Sequence, residues 1–294
     1  MKKDRLKPYV FKVEGAVNFA LYDMLNGKFY QFRTDGSLEE LRKILFEKKL
    51  IFETNGIVPN KFPGEEMRRV HHDLHIKDLQ IRLNGRGEDN CWNRQKKNGI
   101  KKSIKSEIVE QLQKKCQYIP IEIIRIEAEE EDMDLIERII TGFKCRVVEL
   151  HIENIISQYK FEEYEKKSNG KKIIVIKDGR KNIKNLKAEI FRFFYTHYFN
   201  PCLGHKVAID TDGEIKCCLW SDDILGNIET DDLKDMIIRG IFDFYWEFTK
   251  NNIEICKDCE LRYICDDCRI YALKKTGCIN TKPDYCDYDP YKID

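Results

Sequence analysis

The sequence predicts an α/β protein in three consecutive parts, and three observations carry that expectation. Over residues 75–195, segments of alternating apolar residues recur between amphipathic helices. A short strand, turn, strand and helix pattern precedes them over residues 9–63. Nine of the twelve cysteines follow them, from Cys202 onward. The implied segments are a small N-terminal unit at 1–65, a run of β/α units at 66–195 and a cysteine-rich domain at 196–294.

In the first segment Val17, Phe19 and Leu21 alternate. Asn26-Gly27 supplies a type I′ turn, and Phe29-Tyr30-Gln31-Phe32 returns as a second strand. Ser37 and Glu40 form a capping box that opens a helix with Leu38, Leu41, Ile44 and Leu45 on one face. Leu50-Ile51-Phe52 reads as a third strand, and 56–64, with two prolines, as a linker.

The second segment alternates strands and helices. Leu79, Ile81 and Leu83 mark a strand, and a charged stretch follows it. Ile104, Ile108, Leu112 and Cys116 fall four apart on a helix, and 121–126 is a strand. Asp132 to Phe143 is a helix, and 146–152 and 172–176 are strands. Strands separated by helices of this length form parallel sheets. Three or four such units are too few for a closed eight-stranded barrel, so a partial (β/α) barrel or short open sheet is expected. From Glu189 the texture changes to an aromatic run, two strands within Lys206–Leu219, and a helix from about Asp231 to Lys250.

Composition narrows the function classes. Lys plus Arg (52) nearly cancels Asp plus Glu (51), which gives no general drive toward nucleic acid or anionic membrane. No apolar run approaches a membrane span. The N-terminal MKKDRLKPYVFKVEG lacks the apolar core of a secretory signal, so a cytoplasmic location is expected. Thiols there stay reduced, and a dense cysteine pattern points to metal or catalysis rather than disulfides.

The central pattern is Cys256-x2-Cys259-x5-Cys265-x2-Cys268, four cysteines in thirteen residues. A CxxC loop turns both sulfurs toward one metal, and such pairs serve tetrahedral zinc and iron–sulfur cubanes alike. Upstream are Cys202, Gly213 and the adjacent Cys217 and Cys218. Downstream are Cys278 and Cys286. Spacing alone leaves zinc and iron–sulfur open.

Residues 202–286 resemble the SPASM domain, the C-terminal module of radical S-adenosylmethionine peptide-modifying enzymes. That module has a cysteine, nine to fifteen residues, a glycine, four further residues and a second cysteine, then CxxCx5CxxxC and a closing cysteine. Cys202, Gly213, Cys218, Cys256, Cys259 and Cys265 match, and Cys265-x2-Cys268 departs by one residue. The resemblance implies two auxiliary [4Fe–4S] clusters. Cys256, Cys259 and Cys265 with a closing cysteine, Cys286 in preference to Cys278, would hold one. Cys202, Cys218 and Cys268 would supply the other, with Cys217 the alternative to Cys218. This second set is one ligand short: His205 or His197 could complete it, against the plain reading of a surface histidine, or the iron could stay open to a partner or substrate.

Radical S-adenosylmethionine enzymes also need a CxxxCxxC triad after the first barrel strand. Here that loop holds only Cys91, and the triad occurs nowhere in the chain. Reductive cleavage of the cofactor is therefore not expected. A SPASM tail on a shortened, degenerate barrel resembles the proteins of grasp-with-spasm maturation systems, which accompany an ATP-grasp ligase and a short precursor peptide. The run Cys256-Lys-Asp-Cys-Glu-Leu-Arg-Tyr-Ile-Cys-Asp-Asp-Cys-Arg269 and Gly226-Asn227-Ile228 carry that likeness. The N-terminal unit faintly resembles the winged-helix element with which such enzymes capture a leader peptide as an added edge strand.

The remaining candidates read more plainly. Cys116 and Cys145 belong to a helix face and a strand start and read as core, and Cys91 has no matched base. His71, His72 and His75 read as solvated linker. Arg94–Lys105 holds six basic residues and reads as a solvated loop able to meet an acidic peptide. Trp92 alone is too little aromatic interleaving for nucleic acid. Glu127–Asp132 is read as a strand-to-helix connection, with Asp132 or Asp134 capping. The expectation is an iron–sulfur accessory protein of ribosomal peptide maturation that binds precursor peptide, ATP-grasp ligase or both. The alternative is a zinc-binding interaction module with no redox role. An enzyme using an open iron as Lewis acid ranks last, since no base or nucleophile stands out beside the cysteines.

Overall fold

The computed structural model describes residues 5–7, 9–52, 75–86, 101–128, 132–152, 170–176, 186 and 188–292. The chain is a mixed α/β protein of two compact units, each assembled from separated segments. The first comprises Met1–His72, Asn182–Cys202 and Glu247–Asp294, and the second Asp73–Lys181 and Leu203–Trp246. These units cut across the expected segment 196–294.

The first unit begins with β1 (Arg5–Leu6), β2 (Val10–Glu14), β3 (Asn18–Asp23), β4 (Lys28–Arg33), α1 (Leu38–Glu47) and β5 (Ile51–Phe52). Strands β2, β3 and β4 form an antiparallel sheet in that order, while β5 pairs with β1 in a separate ribbon. Ser37 accepts the Glu40 amide at the start of α1, as its position predicts. The β3–β4 turn differs from expectation. Asp23 pairs directly with Lys28, which leaves a four-residue loop. Gly27 has φ of +63°, and Asn26 is not left-handed, so the type I′ geometry is not met. Asp23 organises the loop instead, its Oδ1 accepting the Leu25 and Asn26 amides at 3.2 Å.

Strand β3 is buried on both faces, which a simple alternation did not foretell. Phe19 and Leu21 join Leu6, Val10, Leu45 and Leu50 in one core cluster. Ala20 and Tyr22 join Phe193, Tyr263 and Ile264 in another. The N-terminal sheet thus shares a core with the cysteine-rich tail. Among the described residues this part holds one helix, and the winged-helix likeness is not visible in it.

The second unit carries β6 (Ile76–Arg82), β7 (Asn84–Arg86), β8 (Lys101–Ser103), α2 (Ser106–Cys116), β9 (Ile121–Ala128), α3 (Met133–Gly142), β10 (Val147–Ile152) and β11 (Lys172–Ile176). After α4 (Ile190–Tyr198), which belongs to the first unit, come β12 (Lys206–Ile209), β13 (Glu214–Lys216) and β14 (Gly226–Asn227). The order β11-β10-β9-β6-β12-β13-β14 makes one sheet of seven strands. Its first five strands are parallel and its last two pair antiparallel. Hairpin β12–β13, assigned by sequence to the tail, extends this sheet beside β6. The sheet is parallel-rich and open, as a shortened barrel would be.

Apolar residues such as Leu79, Ile124, Leu150 and Val207 are buried on one side of that sheet. The alternate positions carry charge. Arg125 pairs with both Asp78 and Glu149, and Lys206 lies 3.5 Å from Asp78. The long helix expected over 231–250 is instead α5 (Leu233–Ile238) and α6 (Asp243–Trp246), interrupted where Gly240 takes φ of +71°. The tail carries α7 (Arg269–Thr276), stopped by Gly277 at φ of +74°, and continues as a closing segment to 292. Among the described residues, no helix is long and apolar enough to cross a membrane.

Candidate metal centre

The first unit presents four cysteines on the walls of one cavity. Residues 256–265 form successive tight turns: the Cys259 amide donates to the Cys256 carbonyl at 3.1 Å, and the Cys265 amide to the Leu261 carbonyl at 3.1 Å. The turn opens with Ile255 in the left-handed region at φ of +68°, a conformation β-branched residues rarely adopt. The Tyr22 hydroxyl donates to the Glu260 carbonyl at 2.5 Å and anchors the loop to β3. From the other side, the Arg269 guanidinium at the start of α7 donates to the Ile279 and Thr281 carbonyls, both at 2.8 Å. That clamp holds the closing segment against the helix.

These constraints bring Cys256, Cys259, Cys265 and Cys286 to a cavity of about 90 Å³. Cys278 is not on its walls; it is exposed, and its thiol donates to Asn280 Oδ1 at 2.7 Å. The cavity also meets Lys250, Asp266 and Asp267. Both carboxylates are engaged by cations, Asp266 by Arg192 and Asp267 by Lys250 and Arg269. With both carboxylates engaged, the four thiols are the cavity's soft donors, and they suit zinc or an iron–sulfur group over a hard, oxygen-seeking cation.

Burial governs the chemistry of these thiols. It pushes Cys256 up to about 11 and Cys259 up to about 12, and it raises Cys265 as well. Protonated thiols of this kind are inert, and a metal that binds them must displace the protons. None of the described cysteines is in a disulfide. Among the described residues, no group of three or more His, Cys, Asp or Glu side chains is disposed to hold a single metal ion. The donor set fits a thiolate-bound group; the number and kind of such groups rest on the proposal below.

The second predicted set is divided between the units. Cys202 and Cys268 belong to the first and Cys218 to the second. Cys268 is the N-cap of α7, its sulfur accepting the Tyr271 amide at 3.4 Å, and its own amide donates to the Tyr285 hydroxyl at 3.2 Å. The Cys202 amide donates to Asn200 Oδ1 at 2.9 Å. Cys217 and Cys218 follow β13 and are both buried, so burial does not choose between them.

The histidines depart from the surface and linker readings. His205 is buried, left-handed at φ of +52°, and stacked between the rings of His75 at 4.4 Å and Trp246 at 4.8 Å. His197 lies 4.7 Å from the Tyr263 ring, and burial lowers its pKa. Cys116 is buried on α2 and pushed up to about 12 by that burial, as a core thiol should be, while Cys145 is half-buried. His71, His72, Cys91, Trp92, the 56–64 linker and most of the basic and acidic stretches lie outside the described residues. Sequence reading missed Lys250, Asp267 and Arg269. Asp267 and Arg269 flank Cys268 directly, yet their burial is not readable from type or spacing.

No family model and no curated protein sequence matches the chain. Among solved structures, selenomethionine BtrN in an open conformation aligns at a TM-score of 0.40 and 11% identity, covering 64% of this chain and 93% of that one. Streptococcus suis SuiB aligns at a TM-score of 0.32 and 12% identity, covering 96% of this chain and 99% of that one. Both likenesses are low in identity and in superposition.

Proposed function

We propose that the chain is an iron–sulfur accessory protein of ribosomal peptide maturation, carrying two [4Fe–4S] clusters and performing no radical S-adenosylmethionine chemistry. The observation that carries this reading is the placement of Cys256, Cys259, Cys265 and Cys286 on one cavity whose carboxylates are already neutralised. In this reading those four thiolates hold one cluster, and Cys202, Cys218 and Cys268 hold the other. A bound cluster supplies one-electron exchange, an anchoring point through an open iron, or structural cross-linking. The chain's own part is to supply thiolates, fix the two loops that carry them and set the charge around them.

The partners follow from the same resemblance: a precursor peptide, an ATP-grasp ligase or both, met in the cytoplasm. The sheet β2–β3–β4 supports a peptide site because β2 and β4 are its edge strands, and β4 carries exposed side chains. An extended peptide can add to such an edge through main-chain hydrogen bonds.

The test is iron, sulfide and zinc content after strictly anaerobic purification, with Cys256→Ala and Cys268→Ala beside the wild type. About eight irons and eight sulfides per chain, falling by about half in each variant, support two clusters. Zinc near two per chain without sulfide would replace this reading with a zinc-bound interaction module. Co-purification with the ligase or a synthetic precursor peptide tests the partners.

A further inference from the structure

We propose that Lys250 is the electrostatic tuning residue of the four-thiol cavity: held in place by Asp267, its ammonium raises the reduction potential of the cluster bound there. This rests on the reading of the cavity as a [4Fe–4S] site.

Lys250 Nζ lies 2.6 Å from Asp267 Oδ2, and Arg269 pairs with the same carboxylate. The three side chains are only 3%, 1% and 0% exposed. Among the described residues this triad carries one net positive charge away from water, while Glu260, a buried carboxylate of the same unit, bonds Gln31 and Tyr288 instead of either cation. Buried charge costs several kcal/mol per ion unless something balances it. Lys250 and Asp267 both line the cavity, so the cavity is where that balance can be supplied. Four thiolates around a [4Fe–4S]2+ core supply it, with a net charge of about −2 that becomes about −3 when the cluster gains an electron.

A fixed cation beside the cluster stabilises the reduced state more than the oxidised one. In a poorly solvated site that difference is large, because charge interactions scale inversely with the effective dielectric. Arg262 and Lys282 also border the cavity, but they are part-exposed and their charges are screened by solvent. Asp267 acts in the opposite sense, and Arg269 offsets it while clamping the Ile279 and Thr281 carbonyls. The step concerned is the transfer of one electron from a chemical reductant such as dithionite to the cluster, with no bond made or broken and no proton moved.

The experiment is a dithionite redox titration of the full anaerobically purified chain, followed by electron paramagnetic resonance. The signal analysed is the one that Cys286→Ala removes. Lys250→Met shifts the midpoint negative by at least a tenfold change in the reduction equilibrium, about 59 mV for one electron. Lys250→Arg keeps the charge and stays within a few-fold of wild type. Asp267→Asn adds net positive charge and moves the midpoint the other way, so a folded variant on either side suffices. An unchanged midpoint in Lys250→Met with iron retained overturns the proposal. Iron loss in all three variants assigns the triad a purely structural role and overturns it too. Metal analysis of the wild type is read first. Absence of iron and sulfide there defeats the cluster reading itself, and the tuning role with it.

Discussion

Thr196, buried on α4, donates its hydroxyl to the Tyr263 carbonyl at 2.7 Å. That bond ties the aromatic helix to the loop between Cys259 and Cys265, in a core where Phe193 meets Tyr22 and Tyr263. Thr196→Val keeps the volume and removes the donor, leaving a buried carbonyl short of one partner. The expected cost is about 1–2 kcal/mol, read as a lower urea midpoint, with Thr196→Ser retaining most of the stability.

The closing cysteine gives a second contrast. Cys286 is on the cavity wall and Cys278 is exposed with its thiol turned to Asn280. Cys286→Ala should lower iron and sulfide by about half, whereas Cys278→Ala should leave both unchanged. Equal losses in the two variants would contradict the assignment.

Gly15 packs against the cysteine-bearing loop. A Cβ there would fall 2.7 Å from Glu260 Oε2 and 2.9 Å from both the Asp258 carbonyl oxygen and the Glu260 amide nitrogen. Glu260 cannot easily give way: it is fully buried, and its Oε1 accepts from Gln31 at 2.8 Å. Gly15→Ala should cost about 2 kcal/mol through overpacking and lower the Tm measured by circular dichroism.

The charged side of the parallel sheet predicts an acid response. His151 and the Arg125 guanidinium hold Glu149 down at about 2, against 4.5 for an ordinary glutamate. A carboxylate whose pKa is depressed by folding stabilises the protein above its unfolded value. That contribution is full above pH 4.5 and is lost as pH falls toward 2. Urea unfolding at pH 7, 4.5 and 3 should therefore show a steeper acid loss in wild type than in Glu149→Gln. Parallel pH profiles would rule out this origin.

Much of the second unit was legible because its signals are local. Ile108, Leu112 and Cys116 share a helix face, and the β-branched strands at 121–126 and 172–176 appear within a few residues of expectation. What escaped was pairing at a distance. Strand β2 escaped for a local reason, since five residues of VFKVE are too short a run to mark a strand although its partner β3 follows directly. Lys206–Ile209 reads as half of a hairpin, and only the register of Lys206 with Asp78 makes it a neighbour of β6. Gly240 broke a helix whose apolar periodicity ran on past it.

The sequence by itself determined that the tail is a thiol-rich metal-binding candidate, since four cysteines within thirteen residues force several sulfurs into one neighbourhood whatever surrounds them. It also determined the alternation of strand and helix, which depends on residue periodicity alone. Only the tertiary structure decided that Cys286 rather than Cys278 reaches the cavity, because that choice depends on how Arg269 fixes a loop ten and twelve residues away. It alone placed Lys250 under the thiols as well. Burial and net charge at a site are sums over segments distant in the chain, and no local spacing encodes them.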